Sequence, residues 1–283
     1  MFATIGRTWG LGKASWAVLQ KDRELIIFPI LSFLSIAIVA AIFFSIALAA
    51  GTVDRLDTGG VEGQTVQDQI KLIDVVIGVL FIVAATYAGI FFNAALIAAA
   101  MQRLKGGDPN VGSGIRAVLP HAHSILGWAI ISATVGILLR VLRSKTDSFI
   151  GKIAIDLVGG VWAYITFFVV PVLVLNGVGP IGAIKESAGL FKRTWGEQFT
   201  ASFGFGLFYM AAMLAGFALG GIVASANIVA GIIVGVLVIG LATAVVSAME
   251  AIFKAALFQY AFEGRTPAGF EDQNLRESYR RVF

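Results

Sequence analysis

The chain has 283 residues, of which 58% are hydrophobic and only 13% charged, with a mean hydropathy of +0.88. A soluble domain carries roughly 25% charged residues, so this composition excludes an ordinary soluble fold. The net charge of +4 comes from Lys and Arg scattered through short segments. That suits topogenic charge beside anionic lipid headgroups, not the gathered basic face of a nucleic-acid binder. With no Cys in the chain, disulfides, thiol nucleophiles and thiolate metal sites are all excluded.

Residues 1–25 carry Phe2, Ile5, Trp9, Trp16 and Leu19 at helical spacing, the pattern of an amphipathic helix with basic residues opposite. Trp at the rim of such a helix suits a membrane surface, which makes Trp9, Lys13 and Trp16 candidate membrane-surface anchors. The first apolar run, Ile26 to Ala50, is of transmembrane length. Its end, Ala47-Leu48-Ala49-Ala50, resembles a signal-peptidase site, but the run is too long for a signal peptide, so a retained span is expected. Residues 51–71 are polar and net acidic. Run two is Leu72 to Met101, interrupted by Asp74 and Asn93, and Gly106-Gly107-Asp108-Pro109 then reads as a turn. Val111, Ile115, Val118, Ala122 and Ile125 suggest a second surface helix near 109–124, broken by Pro120, before run three, Ile125 to Leu142.

Run four, about Ile153 to Val178, contains Pro171 and ends in Asn176-Gly177-Val178-Gly179-Pro180. The stretch after it, 180–199, repeats the N-terminal pattern. Gly189-Leu190-Phe191-Lys192-Arg193-Thr194-Trp195 matches Gly10-Leu11-Gly12-Lys13-Ala14-Ser15-Trp16 at Gly, Leu, Lys, a small hydroxyl residue and Trp. Here the apolar face is Ile181, Ile184, Ala188, Phe191 and Trp195, and Lys192 and Trp195 join the candidate anchors. Run five is Ala201 to Ala224. Ser225-Ala226-Asn227 then forces a tight hairpin with run six, Ile228 to about Phe262. Gly216 and Gly220 on run five, and Gly231 and Gly235 on run six, are each four apart, the spacing of small residues that lets helix backbones approach in lipid.

The sequence therefore predicts an all-α polytopic membrane bundle in a single domain spanning 1–283. It comprises a surface helix over 1–25, six spans in three hairpins within 26–262, and a polar tail over 263–283. Fifteen Lys and Arg fall on the side of the termini and six on the other: Arg55, Lys71, Arg140, Arg143, Lys145 and Lys152. The positive-inside rule then puts both termini in the cytoplasm, the membrane being the inner (plasma) membrane.

Chemistry is sparse. His121 and His123 are two apart and would diverge on a helix, with no further ligands nearby, so a surface pair is expected and no metal site. No nucleophile elbow, phosphate loop or zinc-protease motif occurs. Neither catalytic residues nor a cofactor are expected. The candidate binding residues are polar or helix-breaking positions within the apolar runs. Glu250 and Lys254, four apart, form a helix ion pair in the favourable order. Asn93 sits late in run two. Pro171 with Asn176 breaks run four and exposes carbonyls, or merely kinks it. The cluster of Arg140, Arg143, Lys145 and Lys152 reads either as snorkelling cations or as a headgroup or partner contact.

Several segments resemble a known group. Phe91-Phe92-Asn93-Ala94-Ala95-Leu96, Arg103-Leu104-Lys105-Gly106-Gly107-Asp108-Pro109 and Ile125-Leu126-Gly127-Trp128-Ala129 look like a family of prokaryotic membrane proteins of unknown function. So do Val169-Val170-Pro171-Val172-Leu173-Val174 and Lys185 to Trp195, followed by Gly196-Glu197. More distantly, the chain resembles the membrane domain attached to some glycerophosphodiester phosphodiesterases, without their catalytic domain. The resemblance implies a six-span inner-membrane protein with no catalytic residues to carry over. Two functions stay open: a non-enzymatic scaffold or accessory subunit acting with lipid, a protein partner or a second copy, and a transporter or channel for a small solute or lipid.

Overall fold

In a computed structural model the chain is described at residues 2–56, 70–264, 267, 269 and 270, with side chains described from Trp9 onward except at 191–204. Every regular element among the described residues is helical. The α-helices are α1 (Phe2–Lys21), α2 (Ile27–Ala49), α3 (Thr52–Leu56), α4 (Leu72–Leu104), α5 (Val111–Val118), α6 (Ala122–Ser144), α7 (Phe149–Ile165), α8 (Val169–Leu175), α9 (Pro180–Ala224) and α10 (Ile228–Glu263). Six stretches among the described residues are long and apolar enough to cross a membrane: Arg23–Ala49, Leu72–Leu104, Val111–Ser144, Phe149–Leu175, Phe205–Ala224 and Ile228–Glu263. The all-α bundle read from the apolar runs is the fold observed.

Proline sets where these helices start. Pro29 and Pro171 are the third residues of α2 and α8, Pro180 is the first of α9, and Pro120 lies in the 3-10 turn Leu119–His121 ahead of α6. A first helical turn has no intrahelical acceptor for its N–H groups, so a residue without one fits there and nowhere deeper. Run four is accordingly split at Thr166–Phe168, three residues ahead of Pro171 and not at Asn176.

Spans alternate direction, which leaves two ends. The α1 end holds α1, the last turns of α4 and α10, α5 and α8. The hairpin end holds α3 and the α6–α7 and α9–α10 connections. Beyond α10 the chain returns to α1: Phe270 is buried, and a Cβ on Gly269 would lie 3.2 Å from Val18. Residue 270 and the N-terminal helix thus share an end. Helices α4 and α10, of 33 and 36 residues, are longer than the roughly 20 residues that cross a hydrocarbon core. Their surplus turns pack together at the α1 end, where most of the buried residues of both helices fall: Ala94–Met101 and Leu104 in α4, Ala244–Ala261 in α10. Toward the hairpin end the same helices show Leu72, Leu80, Ile228, Ile232 and Leu237 to their surroundings. Such a belt is stable against acyl chains and not against water.

Two features of the amphipathic segments differ from the sequence reading. In α1 the side buried against the protein carries Leu11, Ala14, Ser15, Val18 and Leu19, while Trp9, Lys13 and Trp16 point outward together. Leu19 therefore does not share a face with the tryptophans, and Lys13 lies beside them and not opposite. Phe2 and Ile5 lie outside the residues with described side chains. The segment 180–199 is also no separate surface helix. It runs without a break into span five as the 45-residue α9, about 67 Å at 1.5 Å per residue and twice the hydrocarbon thickness. The first copy of the repeat stops instead at Asp22, because Pro29 forces a new helix start shortly after it, whereas nothing in 196–204 does the same. Ile181 stays exposed and the buried stripe of α9 is Ala183, Ser187 and Leu190. Phe191, Lys192 and Trp195 lie where side chains are not described.

Candidate functional site

The interruption of run four would leave backbone groups unpaired inside the protein, at a cost comparable to a lost hydrogen bond for each. Ser187 of α9 closes it. Its hydroxyl donates to the Ile165 carbonyl at 2.5 Å and accepts from the Phe168 N–H at 3.0 Å, and the side chain is fully buried. Within the break, the Phe167 ring lies under the Lys254 ammonium, 5.1 Å from Nζ to the ring centroid. Lys254 Nζ is 2.8 Å from Glu250 Oε1, and the other carboxylate oxygen accepts from the Tyr209 hydroxyl at 3.0 Å. A four-membered polar cluster thus ties α9, α10 and the α7–α8 break together. Glu250 lies 22 residues into α10 from Ile228, about 33 Å along its axis, which is one hydrocarbon thickness from the hairpin end. The pair therefore sits at the lipid boundary of the α1 end, where its side chains are about a quarter exposed.

The other sequence candidates are not brought to this cluster. Pro171 is buried in the first turn of α8. Asn176 caps the C-terminus of that helix, and its Nδ2 donates to Glu186 Oε2 at 2.8 Å. Asn93 is half-buried in α4 and its side chain makes no hydrogen bond among the described residues. His121 lies in the 3-10 turn, 3.5 Å from where a Cβ on Gly177 would be. Among the described residues no three His, Asp or Glu side chains gather where a metal could be held.

Tyr209 and Ser187 are the residues the sequence reading missed. Ser187 had one signal, a polar residue in helical register with the apolar residues Ala183 and Leu190. Tyr209 had none, since its partner is 41 positions away. Two more arginines act as clamps through ion pairs. At the hairpin end Asp74 accepts from Thr52 Oγ1 at 2.6 Å and from Arg55 Nε and Nη2 at 2.9 and 2.5 Å, joining the short α3 to the first turn of α4. Hydrogen bonding to that carboxylate raises Arg55 above its ordinary pKa. At the α1 end Arg103 forks onto the buried Asp22 and also reaches Asp108 at 2.7 Å, fixing the chain between α1 and α2 to the end of α4.

Six apolar helical stretches, a lipid-facing belt and charges confined to the ends define a multi-pass integral membrane protein. Residues 70–270 match the model of a family of unknown function, DUF6159, and the chain belongs to that family. No curated protein shows significant similarity to the chain.

Proposed function

We propose that the protein is a non-enzymatic component of the inner membrane, a scaffold or accessory subunit that organises lipid or a partner, with both termini cytoplasmic. The observation that supports this most is the engagement of its membrane-level polar groups. Glu250, Tyr209 and Ser187 each hydrogen-bond to a neighbouring element, Lys254 pairs with Glu250 and lies over the Phe167 ring, and together they fix α7, α8, α9 and α10 to one another. A catalytic or transport site keeps groups poised for a substrate, whereas these groups serve one another. Trp9, Lys13 and Trp16, exposed along one side of α1, are suited to hold that helix at the headgroup level. Purification in mild detergent is expected to recover a stoichiometric partner or an oligomer. A monomer that carries solute into sealed vesicles would contradict the scaffold reading.

One observation favours the second reading, a transporter or channel. Run four is broken, as substrate-binding helices of transporters are, and Lys254 lies beside the break. That reading requires water to reach the cluster. Cysteine substituted at Glu250 would then react with small polar thiol reagents, and protection from both sides would remove it.

A further inference from the structure

Four of the six Lys and Arg on the hairpin side fall between positions 140 and 152, and three of them gather around one depression. Arg140 and Arg143 stand near the end of α6 and Lys152 in the first turn of α7; with Ser144 they line an open cavity of about 310 Å³. Arg143 is held by Asp156, Nε to Oδ1 at 3.0 Å and Nη2 to Oδ2 at 3.1 Å. The side chains of Arg140 and Lys152 have no ion pair or hydrogen bond among the described residues. Over 140–156 four cations stand against two carboxylates, Asp147 and Asp156, a net +2.

The surroundings are apolar. Leu138, Val141, Leu142, Phe149, Ile150 and Ile153, on the same two helix ends, are all exposed. The cavity therefore lies at the lipid boundary, where charge is stable only with a counter-charge or water. Snorkelling alone would let each long side chain seek water separately. Here three long basic side chains line one concavity, and they do so on the side where topology disfavours Lys and Arg. Mutual repulsion opposes that arrangement unless an anion occupies it.

We propose that the depression binds the phosphate of an anionic lipid headgroup from the surrounding leaflet. Arg140 and Lys152 supply the charge, Arg143 is half-neutralised by Asp156, and the exposed apolar side chains meet the acyl chains. The shared chemistry is a phosphate, and attachment to a lipid distinguishes this source from the dissolved ion. The inference does not depend on whether the protein is a scaffold or a transporter.

The test is native mass spectrometry of the full chain in mild detergent, titrated with phosphatidylglycerol, with phosphatidylcholine of the same acyl chains, and with inorganic phosphate. The wild type is expected to hold phosphatidylglycerol about tenfold or more tighter than phosphatidylcholine, and Arg140→Gln with Lys152→Gln to lose that preference. Asp156→Asn, which frees Arg143, is expected to tighten binding, so it tests the site even where the double variant does not fold. Arg116→Gln, at the other end, should change nothing. A folded double variant with the full preference, a wild type without one, or an Asp156→Asn variant that binds more weakly would each overturn the site. Inorganic phosphate that displaces phosphatidylglycerol at millimolar concentration would overturn the lipid source.

Discussion

The two ends of α4 are both apolar, yet they meet opposite surroundings. Its first turns carry Leu72, Ile73, Val75, Val76 and Leu80, all exposed. Its last turns carry Ala94, Ala95, Ala98, Ala99 and Ala100, all buried. Helix α10 repeats the division, with Ile228, Ile232, Ile233 and Leu237 outward at one end and Ala248, Ala251, Ala255 and Ala256 buried at the other. Hydropathy does not separate these regions; what sets the buried ends apart is the alanine interleaved there with Leu96, Ile97, Ile252 and Phe253. Lipid offers helices no hydrophobic drive to associate, so bulky side chains there face acyl chains and leave the helices apart. At the α1 end close packing requires small residues, because backbones must approach. A Cβ on Gly114 of α5 would lie 2.8 Å from the Ala95 carbonyl oxygen and 2.6 Å from the Phe28 ring.

The contrast is most easily broken by cutting down one phenylalanine from each region. Phe253, 1% exposed, packs against Phe205 at 5.8 Å between ring centroids, while Phe217 is 65% exposed. Phe253→Ala is expected to cost about 3–5 kcal/mol. Phe217→Ala should stay within about 0.5 kcal/mol. Unfolding in mixed detergent micelles measures both, and equal losses would erase the distinction.

A methyl group added at a close approach comes next. At Gly220 the lipid-spanning region also packs closely, since its Cβ would lie 2.9 Å from the Gly231 carbonyl oxygen and the Gly235 Cα. Gly220→Ala and Gly114→Ala should each cost about 1–3 kcal/mol, and Gly240→Ala, with open space around it, nothing. If Gly220→Ala were silent by the same unfolding assay, the α9–α10 hairpin would not be held by backbone contact.

Smaller effects sharpen the account of the polar cluster. Ser187→Ala leaves a buried N–H and carbonyl unpaired at the break and is expected to cost about 1–3 kcal/mol, with faster hydrogen exchange at Phe168. Glu250→Gln keeps the Tyr209 hydrogen bond and removes an ion pair that is about a quarter exposed, so its cost should be about 1 kcal/mol or less. Thermal stability in one detergent ranks the two, and a larger loss for Glu250→Gln would mark that pair as the stronger tie.

What the chain discloses by itself follows from which interactions are local. The apolar runs give the six spans because a bilayer demands about 20 apolar residues whatever the tertiary contacts. The Gly216, Gly220, Gly231 and Gly235 spacing is legible because only Ser225-Ala226-Asn227 separates those helices. The face of α1 was not, since an apolar stripe suits protein and lipid equally. Nor was the continuity of α9, where the repeat suggested a stop that no proline enforces. In the polar cluster the Glu250–Lys254 pair is visible at four-residue spacing. Its partners Tyr209 and Phe167 are set by how distant helices dock, which spacing does not encode.

The absence of cysteine allows single spin labels to test the division directly. Labels at Phe217→Cys and Leu237→Cys in lipid vesicles should be relaxed strongly by oxygen and weakly by a water-soluble nickel chelate, and labels at Lys13→Cys and Lys105→Cys the reverse. Strong relaxation by nickel at positions 217 and 237 would mean that the exposed apolar belt does not lie in lipid, and the six-span account would fail.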